Sequence, residues 1–133
     1  MKNAMDDMPA GIEAMARSLA MQAFRLVEPG FYVTPQLAAE DMAGVQAAGF
    51  ASVINNRPDH EGGPAQPDSK TLAAAAGAVG LSYRHLPVPP SGHLDADARQ
   101  MVELVQSLPQ PVLAFCRTGT RSAALYQKGK QLA

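Results

Sequence analysis

Pro111-Val112-Leu113-Ala114-Phe115 runs directly into Cys116-Arg117-Thr118-Gly119-Thr120-Arg121-Ser122. The first five residues form a short apolar run that reads as a buried strand. From about Arg121 to Gln131 the pattern is helical, so a brief polar loop joins strand to helix. Gly119 can take φ > 0 there, which lets successive backbone N–H groups turn inward and form a nest for an anion. The helix that follows adds its unpaired amides and the positive end of its dipole at the same point. Arg121 can fork onto two oxygens of a tetrahedral oxyanion, and Arg117 adds charge at the rim. Thr118, Gly119 and Thr120 line the cradle. The same field lowers the pKa of a thiol, so Cys116 is expected to be a thiolate nucleophile, with Ser122 able to donate to its sulfur. A lone buried Cys is usually structural. Strand, Cys, Gly-containing loop, Arg, Ser and helix together form a far more restrictive pattern.

Outward from this loop, strands and helices alternate. Arg25-Leu26-Val27 and Phe31-Tyr32-Val33 flank Glu28-Pro29-Gly30, the chemistry of a tight antiparallel turn. Thr34 before Pro35 is expected to cap a helix carrying Leu37, Met42, Val45 and Ala48, ended by Gly49. A buried strand over residues 50–55 precedes a Pro/Gly-rich loop. A helix then starts at Asp68 or Ser69 and stops near Gly80. Residues 81–86 form the next strand, a Pro-rich break follows, and a helix spans about Asp95 to Leu108. Such alternation predicts an α/β domain of three layers, α/β/α, with a mostly parallel sheet of four or five strands. Ligands bind such sheets beyond the carboxyl ends of the strands. That rule places the Asn55–Pro67, Pro87–Asp97 and Cys116 loops on one rim.

The 133 residues suit one catalytic domain over residues 25–133, preceded by an amino-terminal helical extension over residues 1–24. That extension could pack on the domain or on a second subunit, which allows for a homodimer. A net charge of −1 leaves no electrostatic footprint for nucleic acid. No apolar run approaches the ~18 residues of a membrane span, and no leader-like apolar core follows Met1. The single cysteine excludes an intrachain disulfide and fits a reducing, cytoplasmic setting. His60, His85 and His93 lack ligand spacing, so neither a metal nor another cofactor is expected. His85 reads as a strand residue with a satisfied hydrogen bond, and His93 as the better candidate to touch substrate. Arg57 is either a second anion contact or the partner of Asp59 or Glu61. Asn55 and Asn56 read as residues that satisfy loop backbone groups.

The Cys116–Ser122 loop resembles the active loop of single-domain rhodaneses. It also resembles, less closely, the signature of cysteine-dependent phosphatases, in which five residues separate Cys from Arg; here four do. Tyr32-Val33-Thr34-Pro35-Gln36-Leu37, Val53-Ile54-Asn55-Asn56-Arg57-Pro58-Asp59, Gln66-Pro67, Tyr83-Arg84-His85-Leu86-Pro87-Val88 and the Cys loop occur in that order. Together they resemble the phosphatase-like domain of beta-lactamase-hydrolase-like proteins, over roughly residues 24–131. The resemblance implies a dual-specificity-phosphatase-like fold. It also implies either sulfur transfer or phosphatase activity on a small anionic substrate: thiosulfate, a persulfide or a phosphoester.

In dual-specificity phosphatases, an Asp in the loop after a strand like Tyr83–Pro87 protonates the leaving alcohol. Here Val88, Pro89 and Pro90 stand in that place, and Asp95 and Asp97 lie further on. Either could act as the general acid, or could cap the helix that starts there. Because sulfite or a thiolate leaves without a proton, the missing acid and the short loop favour a sulfurtransferase forming a Cys116 persulfide. Phosphomonoester hydrolysis through a phosphocysteine is the alternative, and a non-catalytic anion or persulfide sensor the third reading.

Overall fold

The computed structural model describes residues 24–133. The helix expected within residues 1–23 lies outside the described residues. Five strands form one sheet in the order β1-β2-β5-β3-β4: β1 (Arg25–Glu28), β2 (Phe31–Thr34), β3 (Ser52–Asn55), β4 (Ser82–His85) and β5 (Val112–Phe115). Only β1 and β2 pair antiparallel; Pro29 and Gly30 turn the chain between them, with Gly30 at φ 87°. The other three pairings are parallel. Among the described residues, four helices flank the sheet: α1 (Met42–Ala47), α2 (Ser69–Ala78), α3 (Asp95–Ser107) and α4 (Thr120–Leu132).

β5 lies at the centre of the sheet and is buried along its length. Its side chains alternate between two cores, as the two-residue period of a strand requires. Val112 and Ala114 face Ala98, Met101, Val102 and Val105 of α3 and Ala123, Leu125 and Tyr126 of α4. Leu113 and Phe115 face Met42 and Val45 of α1 and Leu72 and Ala76 of α2. This is the expected three-layer α/β/α arrangement with a mostly parallel sheet of five strands.

Local signals explain most element ends. The Asp68 carboxylate accepts from the Thr71 N–H at 2.8 Å and starts α2, as an N-cap does. Asp97 accepts from the Leu94 N–H at 3.1 Å and closes the first turn of α3. The segment after Thr34 departs from expectation. Thr34 is the last residue of β2, and helical geometry begins only with the 3-10 turn Ala39–Asp41, which leads into α1. Asp41 accepts from the Ala38 N–H at 2.8 Å and starts that turn. The reason is tertiary: the Gln36 N–H is drawn to the Arg117 carbonyl at 3.3 Å, and Leu37 is sunk into the core. An extended path satisfies both contacts, and this outweighs the Thr-Pro start signal.

Candidate active site

The carboxyl ends of β3, β4 and β5 deliver three loops to one rim. Cys116 directly follows β5 and is 1% exposed, at the floor of a cleft of about 370 Å³. Pro90, Gly92, His93, Arg117, Thr118 and Arg121 are among the residues that line it. Gly119 takes φ 92° and begins α4. A Cβ there would lie 3.2 Å from the Thr34 carbonyl carbon and oxygen, so both the backbone angle and the close approach of β2 require glycine.

With the loop in this shape, the Gly119 N–H donates to Cys116 Sγ at 3.0 Å. Burial pushes the thiol's pKa up, but backbone N–H donors of Ser122, Thr118 and Gly119, with help from the Ser122 hydroxyl, outweigh it. The pKa therefore lies below the ordinary thiol value. The Ser122 hydroxyl is fully buried and close enough to the sulfur to contribute, yet makes no well-aligned hydrogen bond among the described residues.

Arg121 ties the three loops together. Its Nη1 donates to Glu61 Oε1 at 2.9 Å and to the Val88 carbonyl at 2.9 Å, and its Nη2 donates to Glu61 Oε2 at 3.0 Å. A guanidinium has five donors. Three are used, which leaves Nε–H and the second Nη2–H, an adjacent pair with the spacing of two phosphate oxygens. Arg57 Nε holds Glu61 Oε2 at 2.8 Å, and Arg57 Nη1 donates to Gln36 Oε1 at 3.1 Å. Hydrogen bonds from Arg121 hold the Glu61 carboxyl below the usual carboxylate range against its burial, with Arg57 adding to the effect. Glu61 is thus the residue whose role the sequence reading missed. It appeared there only as a partner for Arg57, whereas it also orients Arg121, 60 residues away in the chain.

The two candidate acids have other partners. Asp95 is exposed and pairs with Lys128 at 3.0 Å, and Asp97 caps α3. Neither lines the Cys116 cleft, although Asp97 and His93 share a neighbouring one. His93 Nε2 is buried with no hydrogen-bond partner among the described residues. His85 bonds the Arg57 carbonyl at 2.9 Å, Asn55 accepts from the Arg57 N–H at 2.8 Å, and Asn56 donates to the Leu86 carbonyl at 3.0 Å. These three residues hold the β3 and β4 loops in place. Among the described residues, no three His, Cys, Asp or Glu gather as metal ligands, and no helix is long and apolar enough to cross a membrane.

A mostly parallel α/β domain with a cysteine at the foot of an amide nest, and an arginine facing into it, defines the class of cysteine-dependent phosphatase-like folds. The chain belongs to the family of the beta-lactamase hydrolase-like protein, phosphatase-like domain, whose model matches residues 23–133. It is 39% identical over 92 residues to the beta-lactamase hydrolase-like protein of Agrobacterium fabrum, covering 69% of this chain and 21% of that protein. The Xylella fastidiosa protein of the same name is 37% identical over 78 residues, 59% of this chain and 18% of that one. The chain thus spans about a fifth of the length of these curated relatives. Among solved structures, a candidate phosphatase of Neisseria meningitidis superposes with a TM-score of 0.72 at 31% identity, covering 78% of this chain and 73% of its own. The catalytic core of the S. cerevisiae PP-IP phosphatase SIW14, crystallised with citrate, shares the fold at 16% identity and a TM-score of 0.56, covering 73% and 57%. So does P. aeruginosa TpbA bound to phosphotyrosine, at 19% identity and 0.55, covering 73% and 54%.

These comparisons overturn the preference for a sulfurtransferase forming a Cys116 persulfide from thiosulfate. The family is a phosphatase-like one, and the structural relative at 31% identity is named a candidate phosphatase. The two departures behind that preference have other physical meanings. The shorter loop still brings amides onto Sγ and leaves two donors of Arg121 unpaired among the described residues. A missing general acid restricts which leaving groups can depart, without changing the atom that is attacked.

Proposed function

We propose that the domain is a phosphatase that hydrolyses phosphate compounds through a phosphocysteine on Cys116. The observation that carries this reading is the convergence of the sulfur, its amide donors and the unpaired edge of Arg121 on one cleft. The Cys116 thiolate attacks phosphorus while the loop backbone and the Arg121 edge hold the equatorial oxygens. As the bond to the leaving oxygen breaks, charge grows on those oxygens, and fixed donors need no reorganisation to meet it. Water then displaces the cysteine, with the Ser122 hydroxyl supporting the departing thiolate. Arg57 and Glu61 act through Arg121, holding its guanidinium square to the cradle.

Loss of an alkoxide needs a proton, and general acid catalysis is worth about 10²–10⁴ in rate. Asp97 or Asp95 would have to leave its cap or ion pair to supply that proton. Turnover should therefore favour leaving groups that depart as stable anions. Release of p-nitrophenol from p-nitrophenyl phosphate tests the reading. Wild-type protein is expected to turn over, Cys116→Ser to lose all measurable turnover while staying folded, and acid-quenched wild type to carry a phosphoryl mass on Cys116. Turnover that survives Cys116→Ser, or a wild type without any, would remove the proposal.

A further inference from the structure

Beside the Cys116 cleft lies a second one, of about 420 Å³, lined by Arg57, Glu61, Gly62, Pro90, Arg117 and Arg121. The two clefts share Pro90, Arg117 and Arg121, so they open onto each other. Three arginines against one glutamate leave two positive charges uncompensated within this lining. Glu61 is consumed by Arg57 and Arg121. The Arg117 side chain is exposed and has no ion-pair or hydrogen-bond partner among the described residues, although its backbone is pinned by Gln36. Arg121 already belongs to the Cys116 cradle, so beside it the lining keeps one guanidinium charge in surplus, which a stable fold does not need. A ligand with a second anionic group does.

A second observation bears on the bond that is cleaved. No carboxylate lines the Cys116 cleft among the described residues, and the one in the adjoining cleft is held ionised between two arginines. The site thus offers no carboxylic acid beside the sulfur and is rich in positive charge on the leaving-group side. A leaving group that is itself a phosphate answers both conditions, since it departs as a stable anion and brings the charge that the arginines lack.

We propose that the second cleft is a subsite for the leaving phosphate, and that the substrates are phosphoanhydrides, cleaved at the P–O–P bond; this rests on the phosphatase reading above. The Cys116 thiolate forms an S–P bond to the terminal phosphorus. The bridging P–O bond breaks, and its electron pair leaves with the second phosphate, held by Arg57 and Arg117. Water then forms a P–O bond as S–P breaks and the thiolate returns. One proton of the water stays on the product phosphate and the other passes to solvent.

The test uses the full chain at physiological salt. Calorimetry on Cys116→Ser protein compares inorganic phosphate with methylenediphosphonate, whose P–C–P link resists cleavage. The diphosphonate is expected to bind at least 10-fold more tightly, and adding Arg117→Gln is expected to remove most of that advantage. In turnover, wild-type kcat/KM for inorganic pyrophosphate should exceed that for β-glycerophosphate by at least 100-fold. Arg117→Gln should raise KM for pyrophosphate several times more than KM for p-nitrophenyl phosphate. Equal affinity for the two ligands, or equal loss on both substrates, would overturn the subsite while Cys116-dependent release of p-nitrophenol left the phosphatase reading standing. No turnover of any phosphate compound would remove both.

Discussion

The thiol of Cys116 is held below its ordinary pKa by contacts that depend on a glycine at position 119. The left-handed turn at Gly119 aims its own N–H at the sulfur, and a Cβ there would crowd the Thr34 backbone at 3.2 Å. Donors to the charged form lower a pKa, and only the thiolate reacts with alkylating agents. Reactivity therefore extends toward acid. The rate of alkylation by iodoacetate is expected to reach its plateau at a pH below the ~8.5 of an ordinary thiol. Ser122→Ala, which removes one donor, should move that rise toward higher pH. A profile that climbs only above ~8.5 in the wild type would contradict the ionised thiol.

At the scale of elements, the loops after β3, β4 and β5 behave as one unit because Arg121 and Glu61 join them. The side chains of Arg57, Arg121 and Glu61 are 11%, 14% and 15% exposed, so the triad is largely shielded from water. Removing one member of such a pair strands the charges left behind, at a cost on the order of 3 kcal/mol. Glu61→Ala is expected to lower stability by about that amount and to reduce turnover by leaving Arg121 unoriented. The sign with pH follows from the depressed carboxyl. Its contribution is complete above the ordinary carboxylate range and is lost as pH falls through the lower folded value. Urea titrations at neutral and acid pH should therefore show the two proteins converging in stability as the pH drops.

Across the whole molecule, α3 and α4 cover one face of the sheet and meet at Gly129. A Cβ at that position would strike the Ala98 carbonyl and Val102, so a glycine in the middle of a helix serves close packing here rather than a turn. Gly129→Ala improves helix propensity by up to about 1 kcal/mol. The overlap forces the helices apart and costs about 1–3 kcal/mol. A net fall in the urea midpoint with unchanged slope is the expected outcome, and a gain in stability would show that the helices shift at no cost.

The sequence by itself determined the layers and the strand-to-helix switch at Cys116, with the glycine-containing loop between them. Those signals are local: the apolar run Val112–Phe115, the glycine three residues after the cysteine, and the caps at Asp68 and Asp97 act over a few positions of chain. The order of the strands, the extended path from Thr34 to Ala38, the partners of Asp95 and Asp97, and the place of Glu61 between Arg57 and Arg121 were decided only by the tertiary structure. Each depends on groups that meet across the fold, where charge and hydrogen bonding are settled by distance in space. The chemistry moved from sulfur to phosphorus for a related reason. A thiolate in an amide nest can attack either atom, and loop length alone does not say which.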